Sequence, residues 1–273
     1  MALLTQFLLR LSFGMAAAMA TVSPQQVSSG YFRNHLYVIL GLSSLATLLS
    51  RVAAPAAFGW ALAAAVLSYV GAVAWLYEKR TFGVTMLAVV AIAALAGALA
   101  ITEGAAHVVN GPIGFFDGPI GFDKGEGVPF MIAKFALVLR IVQTITSGVL
   151  IGFTMAAMLL GHWYLNSPGM ELAPLRKLLV AMAVAVLAQA VVCGVGLNLE
   201  NSLRQLSTQD WLFLTLRWSF GLVGVIILIW LTWQTLAIPN TQSATGILYV
   251  AVMGVFVGET MSLLLSAESL FPV

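Results

Sequence analysis

The sequence predicts an all-α fold, a polytopic integral membrane bundle of about eight transmembrane helices, and three observations predict it. Hydrophobic residues make up 61% of the 273-residue chain and charged ones only 8%, where a soluble domain carries about 25% charged residues. Mean hydropathy is +1.01. Eight apolar stretches recur, each near or above the roughly 20 residues a spanning helix needs. Ten acids and twelve bases cannot cover a 28.9 kDa particle in water. That excludes a soluble enzyme and a nucleic-acid-binding protein. Within lipid each backbone group must be satisfied inside its own helix or a closed barrel, and no short alternating barrel strands are visible.

The first segment, about 3–22, contains Ala18-Met19-Ala20, which resembles a signal-peptidase site. No Lys or Arg precedes its apolar run and Arg10 falls inside it, the reverse of a signal peptide, so a permanent helix is expected. After the turn at Ser23-Pro24 come 35–53 and then 55–77, opened by Pro55. The fourth segment is 81–102. The fifth, 131–161, ends before Asn166-Ser167-Pro168-Gly169, and the sixth is 176–198. The seventh, 211–237, stops at Pro239-Asn240, and 244–266 is the eighth. Segments five and seven exceed the hydrocarbon thickness, which implies tilt or extension beyond it. Apart from Pro55 no proline falls inside a run, so no broken helix is expected.

The whole chain, 1–273, reads as a single transmembrane domain with an extramembrane Gly/Pro-rich loop, 104–130, within it. There Gly111-Pro112-Ile113-Gly114-Phe115 recurs as Gly118-Pro119-Ile120-Gly121-Phe122. Its apolar residues suit a lid folded on the bundle or a surface that docks a partner subunit. Asp117, Asp123 and Glu126 lack EF-hand spacing, so no metal site is predicted.

The bases Arg33, Lys79, Arg80, Arg176 and Lys177 fall on one side, A, and Arg51, Lys124, Lys134 and Arg204 on the other, B. Five against four, all five in short loops, favours a cytoplasmic side A by the positive-inside rule. Both termini are then extracytoplasmic, in a cell (inner) membrane. The lipid bilayer is the one partner implied outright.

A repeat links segments one and seven: Leu9-Arg10-Leu11-Ser12-Phe13-Gly14 against Leu216-Arg217-Trp218-Ser219-Phe220-Gly221. Leu36-Tyr37-Val38 and Leu248-Tyr249-Val250 follow in the partner segments. This suggests a duplicated hairpin, helices 1-2 and 7-8. Gly148 and Gly152, and Gly254 and Gly258, have the GxxxG spacing of close helix approach.

The intramembrane charges carry the functional reading. Arg10, Arg140 and Arg217 lie about 10–15 Å deep from side B at 1.5 Å per residue, and Glu259 returns to the same leaflet. Such groups are costly in lipid unless they pair or line a polar interior. Arg10, Arg140, Arg217, Glu259 and Gln143 are therefore the candidate ligand-binding residues. Arginine serves as a fixed clamp for anions and carbonyls, and Glu259 as a proton exchanger. Depth along a short-turned hairpin places Arg217 within reach of Glu259. A structural ion-pair network, or arginines snorkelling to the headgroups, is the competing reading of the same charges.

His35 and His162 share a level near side A and form a weak candidate for two axial haem b ligands; a lone interfacial histidine is more often a polar anchor. One cysteine, Cys193, excludes four-thiolate iron–sulfur ligation and an intrachain disulfide. No Gly-x-Ser-x-Gly, P-loop, His-Glu-x-x-His or dinucleotide motif occurs. In outline alone the plan resembles the membrane anchors of quinone-linked respiratory complexes, a likeness small permeases share and one that carries over no residue. The expected function is a membrane subunit of an electron-transfer assembly that binds a quinone-like ligand. A small-molecule or ion permease and a membrane scaffold or assembly factor are the alternatives.

Overall fold

The computed structural model describes residues 1–109, 130–167, 169–203, 205–238 and 240–273, with only the backbone path for 103–109 and 130. Every element of regular structure among them is helical. The helices are α1 (Ala2–Thr21), α2 (Ser29–Ala53), α3 (Pro55–Leu76), α4 (Arg80–Val109), α5 (Phe130–Asn166), α6 (Ala173–Leu203), α7 (Thr208–Ala237) and α8 (Thr241–Glu268). All eight contain a stretch long and apolar enough to cross a membrane. The chain is a multi-pass membrane protein.

Local chemistry accounts for the ends. Pro55 opens α3, where its missing N–H leaves no extra unsatisfied donor. The α3–α4 turn is closed by Lys79 N–H on the Ala74 carbonyl at 3.0 Å, with Glu78 in the left-handed region at φ 53°. α7 starts in a capping box: Ser207 Oγ accepts from Asp210 N–H at 3.1 Å and Asp210 Oδ2 from Ser207 N–H at 2.9 Å. Asn240 caps α8, its Oδ1 accepting from Ser243 N–H at 3.0 Å.

Several helices outrun the apolar pattern. α2 starts at Ser29 rather than 35, because Tyr31, Phe32 and His35 form a buried face that extends the helix past the apolar run. α4 continues to Val109, into the segment expected to be loop, since no proline occurs before Pro112. The remainder of that loop, with both Gly-Pro repeats and Asp117, Asp123 and Glu126, lies outside the described residues.

α1 is the central helix, with 72% of its most apolar window buried against 28–44% for the other seven. It packs on α2, α4, α5 and α8, while α5 also carries α6 and α8. The apolar pattern of α7 gives no sign of its most unusual feature. Residues Arg217–Gly224 form a π-helical stretch, turning Arg217, Gly221 and Leu222 inward. Such wide turns concentrate at functional sites.

Beyond α8 the chain folds back into the bundle, with Leu270, Phe271 and Val273 buried. Glu200 Oε2 accepts from the N–H groups of Leu270 and Phe271, each at 3.0 Å. The carbonyl of Pro272 lies against Gly196, 1.6 Å from where a Cβ would stand. Replacing Glu200 with Leu is expected to speed amide hydrogen exchange at Leu270 and Phe271 by tenfold or more, since each orphaned donor costs about 1–3 kcal/mol. Unchanged exchange at both amides would remove Glu200 from this role.

Candidate functional site

Two glycine crossings build the site. Four residues after Arg10, Gly14 presses on α5: a Cβ there would meet the Gly148 carbonyl oxygen at 1.7 Å and the Gly152 Cα at 2.8 Å. With no side chains between them, the backbones of α1 and α5 touch, and Arg10 is delivered directly onto the polar face of α5. In the second copy of the motif, Gly221 presses on α8, where a Cβ would stand 2.6 Å from the Gly258 Cα. That contact fixes Glu259, the next residue.

Between these crossings lies a buried polar network. Arg10 Nη1 donates to Glu259 Oε1 at 2.5 Å and to Ser147 Oγ at 3.2 Å, and Nη2 donates to Thr144 Oγ1 at 3.1 Å. Both charged side chains are nearly inaccessible, at 3% and 5% exposure. Arg10 Nε has no acceptor. The network continues through Thr144 to Thr102 at 3.2 Å, and Gln6 Nε2 donates to Thr102 Oγ1 at 3.0 Å. On the other flank Gln143 Nε2 donates to Ser262 Oγ at 2.8 Å and Ser266 Oγ at 3.4 Å.

The network walls a cavity of about 240 Å³ at the side-B end of α1, α4, α5 and α8. Gln6, Arg10, Thr102, Arg140, Gln143, Thr144 and Ser266 are its polar lining, with Leu3, Ile101 and Leu263 among the apolar residues between them. A guanidinium bonded to hydroxyls and one carboxylate, beside two carboxamides, gives a donor-rich wall suited to a ligand with carbonyl or anionic acceptors.

Of the five residues singled out in the sequence, Arg10, Arg140 and Gln143 line this cavity and Glu259 stands behind Arg10. Arg140 also donates from Nε to the Leu270 carbonyl at 3.0 Å and from Nη2 to the carbonyls of Ser266 and Ser269. It thereby caps the end of α8. The expected Arg217–Glu259 pair is not formed. Arg217 turns to α6 and donates from Nη2 to Cys193 Sγ at 2.6 Å, while the carboxylate goes to Arg10. Equal depth along a hairpin says nothing of the direction a side chain takes around its helix.

His35 is buried, its Nδ1 2.5 Å from the Tyr31 carbonyl oxygen, in an aromatic nest with Tyr31 and Trp163. His162 is exposed and meets the Tyr249 hydroxyl at 3.4 Å. The two imidazoles thus have separate partners and separate environments. Among the described residues no group of three or more His, Cys, Asp or Glu could hold a metal ion.

No known family, curated protein or solved structure matches this chain. The site therefore rests on its own geometry. Gln6, Thr102, Ser262 and Ser266 were not singled out in the sequence, although a signal exists there. Gln6 and Arg10, then Arg140, Thr144 and Ser147, then Glu259, Ser262 and Ser266, recur every three or four residues in otherwise apolar helices. Each set is one helical stripe facing the same interior.

Proposed function

We propose that this chain is the membrane subunit of an electron-transfer assembly and that it holds a quinone-type headgroup in the side-B cavity. The observation that carries the reading is a cavity lined by donor-bearing side chains interleaved with apolar ones, with a buried carboxylate paired to one of the donors, Arg10. A quinone presents two carbonyl acceptors on an apolar ring. The carboxamide of Gln6 and the guanidinium of Arg140 supply donors, Gln143 supplies one by releasing Ser266 from its 3.4 Å contact, and Leu3, Ile101 and Leu263 receive the ring. Glu259, joined to the wall through Arg10, supplies a group that can exchange the proton of reduction. At about 240 Å³ the space falls below the 300–1,000 Å³ typical of drug-sized ligands, so it suits a single headgroup with its isoprenoid tail left in the bilayer. In this reading side A is cytoplasmic, the membrane is the inner one, and a redox partner docks on side B through segment 104–130.

Equilibrium titration of the purified chain with a short-chain benzoquinone or naphthoquinone tests it. One equivalent should bind, and Gln143→Leu and Gln6→Leu should each weaken binding about tenfold, the worth of one hydrogen bond near 1.4 kcal/mol. Absence of saturable binding, or wild-type affinity in both variants, would sink the quinone reading. The π-helical stretch of α7 and the duplicated glycine crossing favour a second reading, a permease, because transporter folds are built from repeats with interrupted helices. A solute-dependent current across reconstituted vesicles without any redox partner would select it. A chain with neither property would be a scaffold.

A further inference from the structure

Arg217 is 2% exposed, and its contact with Cys193 leaves Nε and Nη1 buried without any acceptor. One turn from Cys193 on the same buried face of α6 stands Gln189, 1% exposed, whose Nε2 also has no acceptor. Its Oε1 is taken by the Thr146 hydroxyl. The buried face of α6 therefore carries an unused Gln189 donor beside Thr146 of α5 and, one turn on, meets Arg217, whose two unused N–H groups have only the sulfur as a neighbouring acceptor.

The charges are equally lopsided. Arg10 and Glu259 close a neutral pair, whereas among the described residues no carboxylate lies within ion-pair distance of Arg217. Arg217 adds a second positive charge to the same electrostatic neighbourhood as Arg10, Glu259 and Cys193. A buried guanidinium without a counter-charge is strongly unfavourable in an apolar interior. The repeat sharpens the point. In its first copy the arginine meets a carboxylate and two hydroxyls; in its second the equivalent arginine meets only sulfur.

We propose that Arg217, together with Gln189, binds a small monovalent anion of about chloride size between α6 and the π-helical stretch of α7. One negative charge neutralises the surplus, and a spherical acceptor can take N–H groups from both side chains at once. Close packing of α6 on the π-helical stretch sets the size: Trp218 lies 3.8 Å from where a Cβ of Gly194 would stand. The site shares no residue with the wall of the side-B cavity, so it stands or falls apart from the quinone reading.

The test uses the full chain purified in detergent, with sodium chloride or sodium bromide exchanged against sodium gluconate at constant ionic strength. Chloride and bromide should raise Tm saturably, and the ³⁵Cl resonance should broaden in a way that bromide reverses. Arg217→Gln should abolish both effects and show the same Tm in chloride and gluconate. Gln189→Leu should weaken the apparent affinity several-fold, and it decides the matter if Arg217→Gln does not fold. A wild-type Tm indifferent to chloride overturns the proposal and points to Glu259 turning from Arg10 to Arg217. A wild-type chloride response retained in Arg217→Gln, or unchanged affinity in Gln189→Leu, also overturns it.

Discussion

Arg10→Leu is expected to abolish the folded bundle, and Arg10→Leu with Glu259→Leu to restore most of it. The single change strands a carboxylate that is 5% exposed and withdraws the donors from Ser147 and Thr144. Removing one partner of a buried pair costs about 3–5 kcal/mol, a large share of the roughly 5–15 kcal/mol that holds a domain folded. Replacing both partners with apolar groups of similar volume is often neutral or stabilising, because neither charge then has to be desolvated. Glu259→Gln separates structure from function: its amide oxygen still accepts from Arg10 Nη1, but it carries no charge and no titratable proton. That variant keeps the hydrogen bond but leaves Arg10 without its counter-charge, so it should fold with a lowered Tm and lose ligand binding or turnover. Thermal scans of the wild type, Arg10→Leu, Glu259→Leu and the double variant in one detergent close the cycle that gives the coupling between the two residues. Equal Tm values for Arg10→Leu and the double variant would show that the stranded Glu259 carboxylate is not what destabilises the single variant. Unchanged ligand binding and turnover in a folded Glu259→Gln would exclude Glu259 from the site.

What the sequence reveals of this arrangement follows from what hydropathy and helical rise encode. Rise per residue is a one-dimensional quantity. It puts Arg10, Arg140 and Glu259 at one level along the bundle, where Arg10 pairs with Glu259 and lines a cavity together with Arg140. Azimuth and neighbour choice are tertiary, so the same arithmetic pairs Glu259 with Arg217 when the carboxylate goes to Arg10, from a helix remote in sequence. Arg140 shows the same limit: its depth is legible, but its hold on the carbonyls of Ser266, Ser269 and Leu270 depends on the chain turning back after α8. Helix ends are extended by residues whose buried face continues past the apolar run, as at Tyr31 and Phe32. The π-helical stretch carries no proline to announce it. By contrast, the two GxxxG spacings and the repeated Arg-x-x-x-Gly are visible as letters, and the crossings at Gly14 and Gly221 are what those letters build.

Gly14→Ala is expected to be among the most damaging single-methyl changes at the described residues. The added carbon would stand 1.7 Å from the Gly148 carbonyl oxygen and 2.8 Å from the Gly152 Cα. These are backbone atoms of α5, which no rotamer change can move aside. α1 and α5 would have to separate by more than an ångström, and Arg10 sits one turn from the point of separation. Its bonds to Thr144 and Ser147 would open and its bond to Glu259 would lengthen, so the cost of overpacking, about 1–3 kcal/mol, adds to partial loss of the buried pair. Gly152→Ala should behave alike, since its Cβ would meet the Gly14 carbonyl carbon at 2.0 Å. Gly41→Ala and Gly59→Ala are the matched controls, with no atom within 4 Å of the new methyl. Both lie inside helices, where alanine is favoured over glycine by roughly 0.5–1 kcal/mol. The folded yield after size-exclusion chromatography and the Tm should therefore fall sharply for the α1–α5 crossing variants and hold or rise for the controls. A Gly14→Ala protein with wild-type Tm would mean that α1 and α5 do not touch at this glycine. Arg10 would then have no reason to reach the hydroxyls of α5, and the cavity wall assembled around that contact would have to be redrawn.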